Sequence, residues 1–98
     1  MAYAIKRWYE VDPPATVGAD TLRVVQDEVT SAPSVLEAIV AGQCADDTLV
    51  GLRVELTIEA TDAHKAGSLA RQAIHGAIRS VGLREGSFRV TAGSGRAV

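Results

Sequence analysis

The sequence predicts a two-layer α/β (α+β) sandwich. Its small mixed sheet runs in the order β-β-α-β-α-β, with two helices on one face and the other face polar and open. Three observations carry that expectation. From Leu52 the chain alternates, with Leu52, Val54, Leu56, Ile58 and Ala60 on one side and Arg53, Glu55, Thr57 and Glu59 on the other. This is the period of a half-buried strand. After Thr61-Asp62, which supplies a helix cap, Ala66, Leu69, Ala70, Ala73, Ile74, Ala77, Ile78 and Val81 recur at helical spacing, as an amphipathic helix over 63–81 requires. The strict alternation of 52–60 is itself the third observation. A strand covered on both faces reads as a continuous apolar run, so only one face of the sheet is covered by helices.

The remaining elements follow in chain order. Residues 2–11 contain the strand formers Tyr3, Ile5, Trp8, Tyr9 and Val11. Trp8 and Tyr9 are adjacent and must point to opposite faces, which makes the pair candidate exposed aromatics. Asp12-Pro13-Pro14 ends this strand, and a loop continues to about Asp20. Residues 21–30 read as a strand by the propensity of Leu22, Val24, Val25, Val29 and Thr30. Leu22, Val25 and Val29 also lie at helical spacing behind an Asp20 cap, and that alternative stays open. Ser31-Ala32-Pro33 reads as a helix start, with Val35, Leu36, Ile39 and Val40 as the apolar face and Gly42 as the stop. Gln43–Thr48 is a polar loop carrying Cys44, Asp46 and Asp47. Gly82 ends the long helix, and 87–92 form the last strand, with Phe88 and Val90 on one face. Two strand-helix-strand units in succession predict right-handed crossovers between neighbouring parallel strands. The domain spans 1–92, and Gly93-Ser94-Gly95-Arg96-Ala97-Val98 forms a flexible tail over 93–98.

Composition bounds the function. Ninety-eight residues, 47 % apolar and 22 % charged, make one soluble domain with a modest core. No apolar run reaches the ~20 residues that span a bilayer, and Met1–Arg7 has no signal-peptide core. A cytoplasmic protein, or one packaged in an assembly without a secretion signal, is expected. The single Cys44 fits a reducing compartment. Two lysines, no asparagine and abundant Ala, Val, Gly and Arg point to GC-rich coding, in a bacterium or phage. Up to Asp62 four bases face eleven acids; beyond it six bases face Glu85 alone.

No motif names a chemistry. His64 and His75 lie eleven residues apart on the long helix, ~16 Å along its axis, too far to share a metal, and both read as solvated surface histidines. Asp46-Asp47 lacks the spaced oxygens of a calcium loop. Cys44 lacks the positive surroundings that activate a thiol, and neither a nucleophile elbow nor a phosphate loop is present. No catalytic residue, metal or cofactor is assigned. The basic face of the long helix (Lys65, Arg71, Gln72, His75 and Arg79) is the candidate interaction surface. From sequence the chain therefore reads as a non-catalytic interaction or assembly module that associates with itself or another protein. Two alternatives remain: anion or nucleic-acid binding through helix 63–81, and a small enzyme or small-molecule binder of unspecified chemistry.

Overall fold

A four-stranded sheet, ordered Val35–Ala45, Thr48–Glu59, Ala2–Thr16 and Phe88–Ala97 from edge to edge, is covered on one face by two helices. The computed structural model describes every residue from Met1 to Val98. The strands are β1 (Ala2–Thr16), β2 (Val35–Ala45), β3 (Thr48–Glu59) and β4 (Phe88–Ala97). The helices are α1 (Thr21–Thr30) and α2 (Ala63–Ser80), and a short 3-10 turn, Glu85–Ser87, leads into β4. The protein is thus an α+β fold of ferredoxin-like topology, β-α-β-β-α-β. No helix is long and apolar enough to cross a membrane.

The two-layer arrangement matches the expectation, but the order of the middle elements does not. Residues 21–30 form a helix, and the segment read as the first helix, 33–41, belongs to strand β2. Leu22, Val25 and Val29 do lie along one helical stripe, with Val25 and Val29 fully buried. Gln26 adds a specific fastening. Its Nε2 donates to the Ala38 carbonyl, and its Oε1 accepts from Val40 N at 2.7 Å, tying α1 to β2. Pro33 follows the end of α1 instead of opening a helix, a position as natural for proline as a first turn. Gly42 sits within β2, where a Cβ would run into the Leu22 side chain. It permits close approach of helix and strand and is not a helix stop.

All strand pairs are antiparallel, so the expected mixed sheet with parallel neighbours is corrected too. β2 and β3 form a hairpin in which Ala45 pairs with Thr48 and only Asp46-Asp47 turn. Asp46 takes φ 56°, a conformation aspartate tolerates. Each helical crossover then skips one strand. β1 extends through Pro13-Pro14 to Thr16, with a register shift between Glu10 and Ala15 that takes up the prolines. The expected tail at 93–98 is strand almost throughout: Arg7 pairs with Gly93, Ile5 with Gly95 and Tyr3 with Ala97.

The core is the inward face of β1 and β3 against α2 and α1. Leu52, Val54, Leu56 and Ile58 of β3 lie beneath Ala66, Ala70, Ile74, Ala77 and Ile78 of α2. Alanine at the contact positions lets the helix approach the sheet closely. Asp62 caps α2, its carboxylate accepting from Lys65 N at 2.8 Å, and Gly82 takes φ 78° just past the end. The outer face is polar, with cross-strand pairs Lys6–Glu55 at 3.3 Å and Arg89–Glu10 at 3.0 Å. Trp8 is exposed on that face, whereas Tyr9, the other candidate exposed aromatic, is only 5 % exposed and belongs to the core.

Candidate functional site

The inward register of β1 runs Tyr3, Ile5, Arg7, Tyr9, Val11, and four of these five side chains are buried. Arg7 breaks the series. A guanidinium facing the helix layer costs desolvation unless it is bonded or reaches an opening, and Arg7 does both. Its Nη1 donates to the Lys6 carbonyl at 3.0 Å and reaches that of Ser94 at 3.4 Å. Beside it the edge strand presents Gly93, where a Cβ would stand 3.2 Å from both Cδ and Nη1 of Arg7. Above it passes Gly67 of α2, whose Cβ would lie 3.9 Å from Nη2. Two missing side chains therefore make the space that the guanidinium occupies.

That space is part of a cleft of about 540 Å³ between α2 and strands β1 and β4, within the size range of small-molecule sites. On α2, Gly67, Arg71 and His75 succeed one another four residues apart, so they share one stripe beside the alanine stripe of the core. Gly86 and, on β4, Phe88, Val90 and Arg89, which is paired with Glu10, complete the lining.

Three features set the chemistry of the cleft. None of the protein's ion pairs includes Arg7 or Arg71, so both guanidinium charges lack a carboxylate partner. The Tyr9 ring stands edge-on to His75 and to Phe88, with centroids 6.5 Å apart in each case. Burial pushes the Tyr9 phenol up from its ordinary value, against the opposing charges of Arg7 and Arg71, so it is a protonated donor at neutral pH. Its hydroxyl has no partner within the protein, and no side-chain polar atom is sealed away unbonded. The oxygen is therefore not sealed in the core, and Tyr9 is among the residues that line the cleft. The third feature is His75, whose Nδ1 lies 3.0 Å from Glu85 Oε1, while Arg79 holds the other Glu85 oxygen at 3.3 Å. A carboxylate only accepts, so Nδ1 donates to it, and Nε2 has no hydrogen-bond partner within the protein.

The basic helix face read from the sequence is thus divided. Arg71 and His75 line the cleft. Arg79 stands behind, on Glu85; Lys65 is exposed near the helix start; Gln72 borders a separate groove of about 370 Å³ between the helices, with Glu28, Pro33 and Gly76. His75 is not the solvated surface histidine expected: its side chain is 21 % exposed. His64 is exposed, and no three His, Cys, Asp or Glu side chains converge to hold a metal ion. Trp8 borders a third hollow on the outer face, with Gln43, Arg53 and Thr91. Arg7, Glu85, Phe88 and the two glycines escaped the sequence reading. Only Arg7 carried a signal, as the one charge in the inward register of β1.

No family model matches the sequence, and no curated protein matches it either. Solved structures do share the fold. One is a protein from Chloroflexus aurantiacus described as a candidate antibiotic biosynthesis monooxygenase. It is 19 % identical, with a TM-score of 0.57 over 100 % of this chain and 93 % of that one. Another, described as protein YJCS, is 7 % identical, with a TM-score of 0.61 over 100 % and 99 % of the two chains. The likeness spans the whole chain and covers the fold alone. Against the expectation of a non-catalytic assembly module, the fold is one shared with a protein described as a candidate antibiotic biosynthesis monooxygenase.

Proposed function

We propose that the protein is a small enzyme that takes an organic anion into the cleft between α2, β1 and β4. The observation that carries this reading is the pair of unpartnered guanidiniums, Arg7 and Arg71, on one cleft with the Tyr9 hydroxyl. Arginine presents a planar fork of donors that matches a carboxylate or phosphate. The aromatic edges of Tyr9 and Phe88 give the organic part of the ligand an apolar wall. The shared fold with a protein described as a candidate antibiotic biosynthesis monooxygenase supports an enzyme acting on a small organic molecule. A nucleic-acid surface is less well supported. His75 is largely covered in the cleft, Arg79 is paired with Glu85, and the chain carries a net charge of −2.

Thermal melts with phosphate, benzoate and phenylpyruvate test the reading. A ligand at 100 times its Kd should add about 2.7 kcal/mol of stability. Arg7→Gln with Arg71→Gln removes hydrogen bonds to a charged ligand, each contributing about 1.5–3 kcal/mol, so the shift should vanish. Equal stabilisation of wild type and double variant would refute the site.

A further inference from the structure

We infer that His75 is the catalytic base of the cleft and Tyr9 the donor to the charge that develops, so that the reaction includes proton abstraction beside a carbonyl of a bound carboxylate. The inference rests on the anion site proposed above and adds the reaction class.

His75 has the arrangement that a general base needs. Glu85 accepts from Nδ1 at 3.0 Å. This fixes the tautomer, orients the ring and stabilises the imidazolium that forms when Nε2 takes a proton. Glu85 is itself held by Arg79 at 3.3 Å and is only 32 % exposed, so the pair is not a loose surface contact. The Tyr9 ring lies edge-on to the His75 ring at 6.5 Å, so the phenol and the imidazole line one cleft. A base and a neutral donor with two positive charges nearby are the elements of enolate formation.

The step balances without a co-reactant. The C–H bond beside the carbonyl breaks, and its proton goes to His75 Nε2. The electron pair forms the carbon–carbon double bond of the enolate, and the carbonyl π pair settles on oxygen. Tyr9 donates a hydrogen bond to that oxygen, while Arg7 and Arg71 hold the carboxylate. Return of the proton to the same carbon restores the substrate, and its return to another conjugated atom isomerises it. Glu85 touches neither reacting atom and is a positioning residue.

Phenylpyruvate is a suitable probe, since it carries a carboxylate, an aromatic ring and an acidic methylene beside a keto group. In D2O the wild type should wash its methylene protons into solvent about 10²–10⁴ times faster than buffer alone, as followed by proton NMR. His75→Ala should abolish the acceleration while retaining the thermal shift given by phenylpyruvate, and added imidazole should restore part of the rate. Glu85→Gln should lower kcat with KM little changed. Exchange by His75→Ala at the wild-type rate would overturn the assignment of the base. Binding without accelerated exchange in the wild type would overturn the reaction class and leave the anion site standing. Absence of a thermal shift with every anion in the wild type would overturn the anion site itself.

Discussion

Leu56 and Leu36 test the fold through the same substitution at two depths. Leu56 lies on β3, 3 % exposed, paired with Ile5 on one side and Ala38 on the other, beneath the alanine stripe of α2. Leu36 lies on β2 and is 60 % exposed. Truncating a buried leucine removes its transfer energy and leaves a cavity, for a total of about 2–5 kcal/mol. A domain of this size has roughly 5–15 kcal/mol in all, so Leu56→Ala removes a large fraction. With about 4–8 °C lost per kcal/mol, a 3 kcal/mol effect lowers Tm by roughly 12–24 °C. Leu36→Ala creates no enclosed void, and its effect should stay within about 0.5 kcal/mol, as at other surface positions. Urea titrations at equal m-value give the comparison. Were Leu36→Ala to cost as much as Leu56→Ala, residues 33–41 would be an amphipathic helix with Leu36 in its buried face, and the topology described above would be wrong.

Three further outcomes are expected. Asp62→Ala should cost about 1 kcal/mol by urea titration, because it leaves Lys65 N without its cap; an unchanged midpoint would remove Asp62 from that role. Gly93→Ala should press on Arg7 from 3.2 Å and weaken organic-anion binding in calorimetry roughly tenfold, near the lower end of what a hydrogen bond to a charge contributes. Its own stability should change by less than about 1 kcal/mol, so unaltered binding would mean that the notch does not position Arg7. Tyr9 governs an alkaline limb. Burial raises its phenol value in the folded state, so the folded chain holds that proton more tightly than the unfolded one. The resulting stability is complete below the unfolded value of about 10 and is lost as pH rises through the folded value. Melts of the wild type should therefore fall from about pH 10 upward, more steeply than those of Tyr9→Phe; identical alkaline limbs would assign the effect elsewhere.

The legible part of the fold was the part where one pattern excluded the other. β3 from Leu52 onward and α2 have unmixed periods of two and of about 3.6, and these were read correctly, cap and terminal glycine included. The loop expected over Gln43–Thr48, by contrast, is mostly the end of β2 and the start of β3. α1 and β2 were exchanged because each is short and carries apolar residues that suit either period. Val35, Leu36, Ile39 and Val40 look like a helix face, yet in an edge strand they fall on both sides, with Leu36 and Ile39 left exposed. The last strand was cut short at Ala92 because Gly93-Ser94-Gly95 offers nothing to bury. Its pairing with β1 is made by the backbone, which composition does not register. The site divides in the same way. Arg71 and His75 were singled out as part of a basic face, but their shared cleft depends on Arg7, on two absent side chains and on Glu85 in a turn. Those partners meet only once the chain is folded.

The pairing of β1 with β4 bears on how the chain reaches its native state. β1 is central, yet its two neighbours come from distant sequence: Ile5 pairs with Leu56 and with Gly95. Only the β2–β3 hairpin is local. A sheet closed by such remote contacts folds slowly for its size, nearer the millisecond-to-second range than the microsecond range. During synthesis at ~5–20 residues per second, the first strand to emerge waits for the last before its second edge is paired. Through that interval Tyr3, Ile5 and Tyr9 belong to an incomplete sheet, and a destabilising change in β4 would prolong their exposure to other chains.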